Sequence, residues 1–63
     1  MDPPARFSPE ELDAALRALA STLAKCTKVL PKLTVGSSQH TLLTRRIRAL
    51  EIAVALIERE RGA

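Results

Sequence analysis

The chain has 63 residues, a net charge of +3 and 46% hydrophobic residues, with one cysteine, one histidine and a single aromatic residue, Phe7. This apolar content is too high for a disordered tail. One cysteine excludes an intrachain disulfide, and one Cys with one His supplies too few ligands for a zinc site, so no metal or cofactor is predicted. A single aromatic also excludes a surface of interleaved aromatics for stacking RNA bases.

The N-terminal segment, residues 1–7, contains two prolines and no hydrophobic periodicity, which predicts a flexible arm. The remaining residues, 8–63, are predicted to form a helical hairpin. Ser8, Pro9 and Glu11 occupy the N-cap, N1 and N3 positions of a capping box, so helix 1 should begin at residue 9 and run to about residue 30.

Helix 1 carries an apolar seam whose residues alternate spacings of four and three, as in a heptad repeat. Cys26 lies on this seam, so we interpret it as a packed apolar residue rather than a redox or metal site. On the helix surface, Asp13 and Arg17 are spaced for an ion pair four residues apart. The seam consists of Leu12, Leu16, Leu19, Leu23, Cys26 and Leu30.

A breaker segment, residues 31–37, begins with proline and predicts a loop. Its apolar residues Leu33 and Val35 are expected to cover the end of the core. Gly36 permits a turn, and Ser37 or the serine after it should cap the next helix.

Helix 2 is predicted to run from about residue 38 to about residue 61 and to end at Gly62 as its C′ residue. His40 falls in its first turn. The predicted fold is therefore all-α, a two-helix antiparallel hairpin. The seam of helix 2 consists of Leu43, Ile47, Leu50, Val54 and Ile57.

Helix 2 also has a second apolar strip beside its seam, and the two together cover more than half of its circumference. One neighbouring helix cannot bury so wide an arc, and large exposed apolar patches are rare on monomers. The hairpin should therefore assemble as a dimeric four-helix bundle or as a higher helical oligomer such as a tetramer. The strip consists of Leu42, Ala49, Ile52, Ala53 and Leu56.

The predicted oligomer interface consists of Leu42, Arg46, Ala49, Ala53, Leu56 and Glu60. Its small residues, Ala49 and Ala53, would let two copies of helix 2 approach closely. If the copies cross antiparallel at Ala53, Arg46 of one chain faces Glu60 of the other, because each is seven residues from the crossing.

Basic and acidic residues are segregated along the sequence. Residues 14–50 contain seven bases and no acid. In a hairpin most of these bases gather at the loop end. They could bind nucleic acid or another anionic partner, orient a dimer against the acidic end of its partner, or simply be solvated. The candidate anion-binding residues are Lys25, Lys28, Lys32, His40, Arg45 and Arg48.

The sequence favours a non-catalytic, homo-oligomeric interaction or accessory protein, whose expected partners are a second copy of itself and a further protein. No pair of acids, glycine-rich phosphate loop or nucleophile with a reserved base is evident. The alternative is an RNA- or DNA-binding helical bundle, and membrane-surface association is a weaker third interpretation. No signal peptide or membrane span is evident, so we expect a cytoplasmic protein, and the size and Arg/Ala usage favour a bacterial source.

Overall fold

The computed structural model describes residues 7–62 as two helices joined by a short connection. Helix α1 spans Pro9–Val29, a 3-10 turn spans Leu30–Lys32, and helix α2 spans Ser38–Gly62. The two helices pack against each other, with the start of α1 beside the end of α2. The predicted all-helical hairpin is therefore confirmed. Residues 1–6 of the predicted arm lie outside the described residues.

The N-terminus of α1 has a complete capping box. Ser8 has an extended backbone, and its Oγ accepts a hydrogen bond of 3.1 Å from the Glu11 N–H. In return, the Ser8 N–H donates to Oε1 of Glu11 over 3.1 Å. Pro9 begins the helix, where its missing N–H costs nothing. Because Pro9 has no N–H, residues 8–11 carry three N–H groups, and the capping box satisfies two of them.

Ser8→Ala should lower the free energy of unfolding by about 0.5–2 kcal/mol, because the Glu11 N–H loses its acceptor. The matched control is Ser21→Ala, which changes an exposed serine in the interior of α1. We expect the control to be neutral or slightly stabilising, since alanine is the better helix former. Thermal unfolding followed by circular dichroism compares the two, and equal midpoints would mean that the cap contributes nothing.

The end of α1 lies slightly before the predicted residue 30. The α-helix ends at Val29, and the chain tightens into the 3-10 turn that contains Pro31. Proline has no N–H and its ring clashes with the preceding turn, so the α-helical ladder cannot continue through it. The Leu30 N–H still bonds to the Cys26 carbonyl, and the Leu33 N–H bonds to the Leu30 carbonyl over 3.1 Å.

The loop after the 3-10 turn buries only one of its two apolar residues. Leu33 is half-buried, as predicted, whereas Val35 is 83% exposed and its predicted role in covering the core is wrong. Val35 lies at the tip of a turn closed by a 3.0 Å bond from the Ser37 N–H to the Thr34 carbonyl. Gly36 completes this turn with a φ of 88°, a conformation that favours glycine. The turn reverses the chain and leaves Val35 in solvent.

Helix α2 begins with a serine cap and ends one residue later than predicted. Ser37 is the capping residue, since its Oγ accepts a bond of 3.1 Å from the His40 N–H. At the other end Gly62 is still helical and has no positive φ, so its predicted C′ role is wrong. The last turn is held on α1 by a contact between Arg61 and Asp13, which favours continued helix there.

The core between the helices is thin. Leu12, at 8% exposure, is the one buried residue among residues 7–62, and none of these residues is fully buried. The accessible surface is 5280 Å², whereas a compact monomer of this mass exposes about 4,000 Å². The radius of gyration is 14.9 Å, against about 11 Å for a compact domain of this length. The other seam residues are only half-buried: Leu16, Leu19, Leu23, Cys26 and Leu30 on α1, and Leu43, Ile47, Leu50, Val54 and Ile57 on α2.

Candidate interaction surface

The second apolar strip of α2 is exposed in the single hairpin. Leu42 is 49% exposed and Leu56 is 56% exposed. Ala49 is exposed as well, and Ala53 is half-buried at the edge next to the seam. Ile52, 46% exposed, lies farther round, on the side of α2 opposite the seam. Helix α1 therefore covers the seam of α2 and leaves the strip uncovered.

The strip continues onto the neighbouring flank of α1. Both helices are right-handed and run antiparallel, so one side of the hairpin combines the strip with the flank of α1 that carries Ala15, Ala18, Thr22 and Val29. Val29 is 43% exposed. The Thr22 hydroxyl donates to the Ala18 carbonyl over 3.0 Å, so its polarity is satisfied within α1.

We call this side of the hairpin the apolar face. It consists of Ala15, Ala18, Thr22 and Val29 on α1, and of Leu42, Ala49, Ala53 and Leu56 on α2. It runs across both helices, with large side chains on α2 and mostly small ones on α1, and the exposed Lys25 interrupts it between Thr22 and Val29.

The opposite side of the hairpin is polar. On α2 it presents Arg48 and Glu51, which form an exposed ion pair with an N–O distance of 3.7 Å. Thr44 lies on the same side and donates its hydroxyl to the His40 carbonyl over 2.8 Å. Ala55 is the one alanine of α2 on this side. Helix α2 thus has one apolar and one polar side, a division that fits burial of the apolar side by another molecule. The α1 flank on the polar side carries Ala20 and Ala24 beside Asp13 and Arg17, so the division is weaker on α1.

Two opposite charges lie at the ends of the apolar face. Arg46 lies near the start of α2 and Glu60 near its end, and both are exposed. Ala53 lies midway between them, seven residues from each. Within residues 7–62, neither charge has an ion-pair partner. Each is therefore available to a group on another molecule.

An ion pair that joins the two helices was not foreseen from the sequence. Nη1 of Arg61 donates to Oδ1 of Asp13, so Asp13 does not make the expected pair with Arg17 in the described part of the chain. The predicted hairpin could have indicated this pair, since it places the beginning of α1, with Asp13, beside the end of α2, with Arg61. The side chains are 47% exposed for Arg61 and 42% exposed for Asp13, so the pair adds about 0–1 kcal/mol to the stability of the hairpin.

The predicted anion-binding bases surround the loop end on several sides. Lys25 and Lys28 point outward from α1, and Arg45 and Arg48 point outward from α2 in directions about 60° apart. These four and Lys32 are exposed. His40 is half-buried in the first turn of α2. The structure therefore gathers the bases at one end of the hairpin without aligning them along one groove.

Residues 7–62 contain neither a cluster of metal ligands nor a helix that could span a membrane. Across residues 7–62, no three His, Cys, Asp or Glu side chains lie close enough together to hold a metal ion. Neither α1 nor α2 combines the length and the apolar character that crossing a membrane requires.

Comparisons with known proteins find no matching protein family, no similar curated protein and no similar solved structure.

Proposed function

We propose that this chain is a non-catalytic, self-associating helical module, and that a second copy covers its apolar face to complete a four-helix bundle. The observation that carries the proposal is the apolar face itself: its large side chains Val29, Leu42 and Leu56 are exposed. The thin core between α1 and α2 points the same way, because one hairpin alone buries little apolar surface. Two hairpins packed face to face would supply the missing half of a core, the usual arrangement in four-helix bundles. A tetramer built on the same face is the higher alternative.

Burial of the apolar face supports association energetically. Leu56 and Val29 are each roughly half exposed, so complete burial of each would contribute about 1 kcal/mol. A twofold axis brings each of them into the interface twice. The alanines add area and allow close approach of the backbones.

The biological role that follows is that of an accessory or scaffold protein. The polar side and the outer surface of α2, including Ile52, would remain free to contact a further protein. We expect it to work in the cytoplasm, where a reducing environment keeps the Cys26 thiol free.

The proposal is tested by the dependence of unfolding on protein concentration. If folding and association are coupled, the midpoint of thermal unfolding should rise as the concentration is raised from about 1 to about 100 µM, by mass action. Circular dichroism at 222 nm follows the transition. A midpoint independent of concentration, with a fully helical chain at the lowest concentration, would argue against self-association.

Binding of a nucleic acid is the second candidate function, favoured by the exposed bases at the loop end. A labelled single-stranded RNA in a native gel at low salt provides the test, since such binding weakens steeply as salt rises. We expect no retention, because the bases point in different directions. Salt-sensitive retention would support the second candidate if Arg45→Glu with Arg48→Glu abolished it. The control, Arg17→Glu with Arg59→Glu, makes the same charge change away from the loop end.

A further inference from the structure

We call the end of the hairpin where α1 starts and α2 ends the open end, and the end that carries residues 30–37 the loop end. We infer that the two copies pack antiparallel, so that the open end of each hairpin covers the loop end of its partner. This inference rests on the proposed function and specifies the geometry of its interface. The twofold axis would cross α2 at Ala53, perpendicular to the helices. The apolar face is thus covered by a second copy of the chain whose helices run antiparallel to those of the first.

The charge distribution favours this orientation. The loop end carries Lys28, Lys32, Arg45 and Arg46, and residues 14–50 contain no acid. The acids Glu10, Glu11, Glu58 and Glu60 lie at the open end, where they outnumber the bases Arg59 and Arg61. A parallel dimer would place two basic loop ends together, which is repulsive, whereas an antiparallel dimer places each basic end beside an acidic one.

The unpaired charges on the apolar face agree with the same axis. Arg46 and Glu60 are equidistant from Ala53, so an antiparallel crossing at Ala53 brings Arg46 level with Glu60 of the partner subunit. The twofold axis forms this contact twice. Ala53 at the crossing point is small and half-buried, which lets the helix backbones approach.

Two exposed apolar residues at opposite ends of the hairpin become neighbours in this arrangement. Phe7 is 64% exposed at the open end, and Val35 is 83% exposed at the loop. The Asp13–Arg61 contact places Phe7 beyond the end of α2. In the antiparallel dimer, the position of Phe7 along the helix axis matches that of the first turn of α2 in the other copy. Phe7 therefore lies beside Val35 of the partner subunit.

The same symmetry also packs α1 against α1 of the other copy, and the α1 flank of the apolar face has side chains that allow this contact. The same axis lays α1 along its own copy, through Ala15, Ala18 and Thr22. These side chains are small, and the Thr22 hydroxyl is already bonded within its helix. Lys25 lies on the same flank, where its long side chain can extend past the contact and keep its ammonium group in solvent. Close packing is therefore possible without an unsatisfied polar group.

Disulfide trapping tests the orientation. Phe7→Cys and Val35→Cys are made separately, each with Cys26→Ser so that the introduced thiol is the only one. Within one hairpin the two positions lie at opposite ends, so a disulfide between them must join two chains. An equimolar mixture is oxidised mildly, with a size tag on one variant to distinguish the products.

The antiparallel dimer predicts a mixed disulfide between positions 7 and 35 and little product from either variant alone. Efficient self-linking of Phe7→Cys would indicate a parallel dimer and overturn the inference, while leaving self-association intact. Loss of all cross-linking in a protein that sediments as a monomer would instead contradict the proposed function. The native Cys26 chain provides the reference for sedimentation.

Charge exchange provides a second test. Arg46→Glu should raise the dimer dissociation constant about tenfold, because two exposed ion pairs become two repulsions. Adding Glu60→Arg should restore most of the affinity through the reversed pair. Arg17→Glu is the control, since it makes the same charge change at an exposed residue of the polar side that forms no ion pair within residues 7–62. If the double variant is as weak as Arg46→Glu, the two residues do not meet and the axis lies elsewhere.

Discussion

If a second copy covers the apolar face as proposed, Ala53→Arg is expected to leave the chain monomeric. Ala53 lies at the centre of the apolar face, where the twofold axis would bring two guanidinium groups together in a desolvated contact. Like charges buried at an interface cost several kcal/mol, enough to raise a micromolar dissociation constant by two orders of magnitude or more. Within a single hairpin, the long arginine side chain can reach solvent from this half-buried position.

Light scattering coupled to gel filtration measures the mass, and circular dichroism at the same concentration measures helicity. The matched control is Ala55→Arg, the same substitution two residues away on the polar side. The control should keep the mass of the unmodified chain. Ala49→Arg, at an exposed site of the apolar face, repeats the test without touching the seam. Retention of dimer mass by both Ala49→Arg and Ala53→Arg would place the contacts on another surface.

Leu12→Ala is expected to destabilise the hairpin more than any other single truncation. Leu12 is its most buried side chain, and removal of a buried leucine costs about 2–5 kcal/mol. A chain of this size has little stability to lose. We therefore expect most of the helical signal at 25 °C to disappear at low concentration, and urea unfolding to shift to much lower denaturant.

Leu56→Ala is the control for that experiment, since it removes the same atoms from a position that is 56% exposed in the hairpin and three residues from the proposed crossing at Ala53. It should weaken the proposed dimer and leave the packing of α1 against α2 within one hairpin unchanged. If Leu12→Ala and Leu56→Ala unfold at the same urea concentration, the distinction between core and interface drawn from burial is wrong.

The features that could be predicted from the sequence are those set by neighbouring residues. The capping box of Ser8 and Glu11 depends on residues three apart, so its pattern is sufficient. The turn at Gly36 and the break at Pro31 likewise follow from the backbone preferences of single residues. The seam was recognisable because leucines recur with helical period over several turns.

The features that could not be predicted depend on how the two helices meet. The Asp13–Arg61 pair needs the register of the hairpin, which local patterns do not fix. Val35 resembled a core residue by composition, but the turn that contains it directs it to solvent. Gly62 suggested a helix terminus, although its role depends on whether the chain adopts a positive φ there.

The candidate surface was only partly visible in the sequence. Its α2 portion could be predicted because leucines and alanines occupy an arc too wide for one neighbour. Its α1 portion, around Ala15 and Ala18, was not, because small residues carry little periodic signal. Only the handedness of the helices and their antiparallel packing show that both portions lie on the same side.

Sedimentation equilibrium of the unmodified chain tests the central claim most directly, because it measures mass without assuming a shape. The monomer mass is 6.9 kDa. At concentrations of tens of micromolar, the proposed bundle predicts twice that mass, decreasing toward the monomer on dilution as mass action requires. A folded, helical chain with the monomer mass across that range would contradict the proposal that a second copy covers the apolar face.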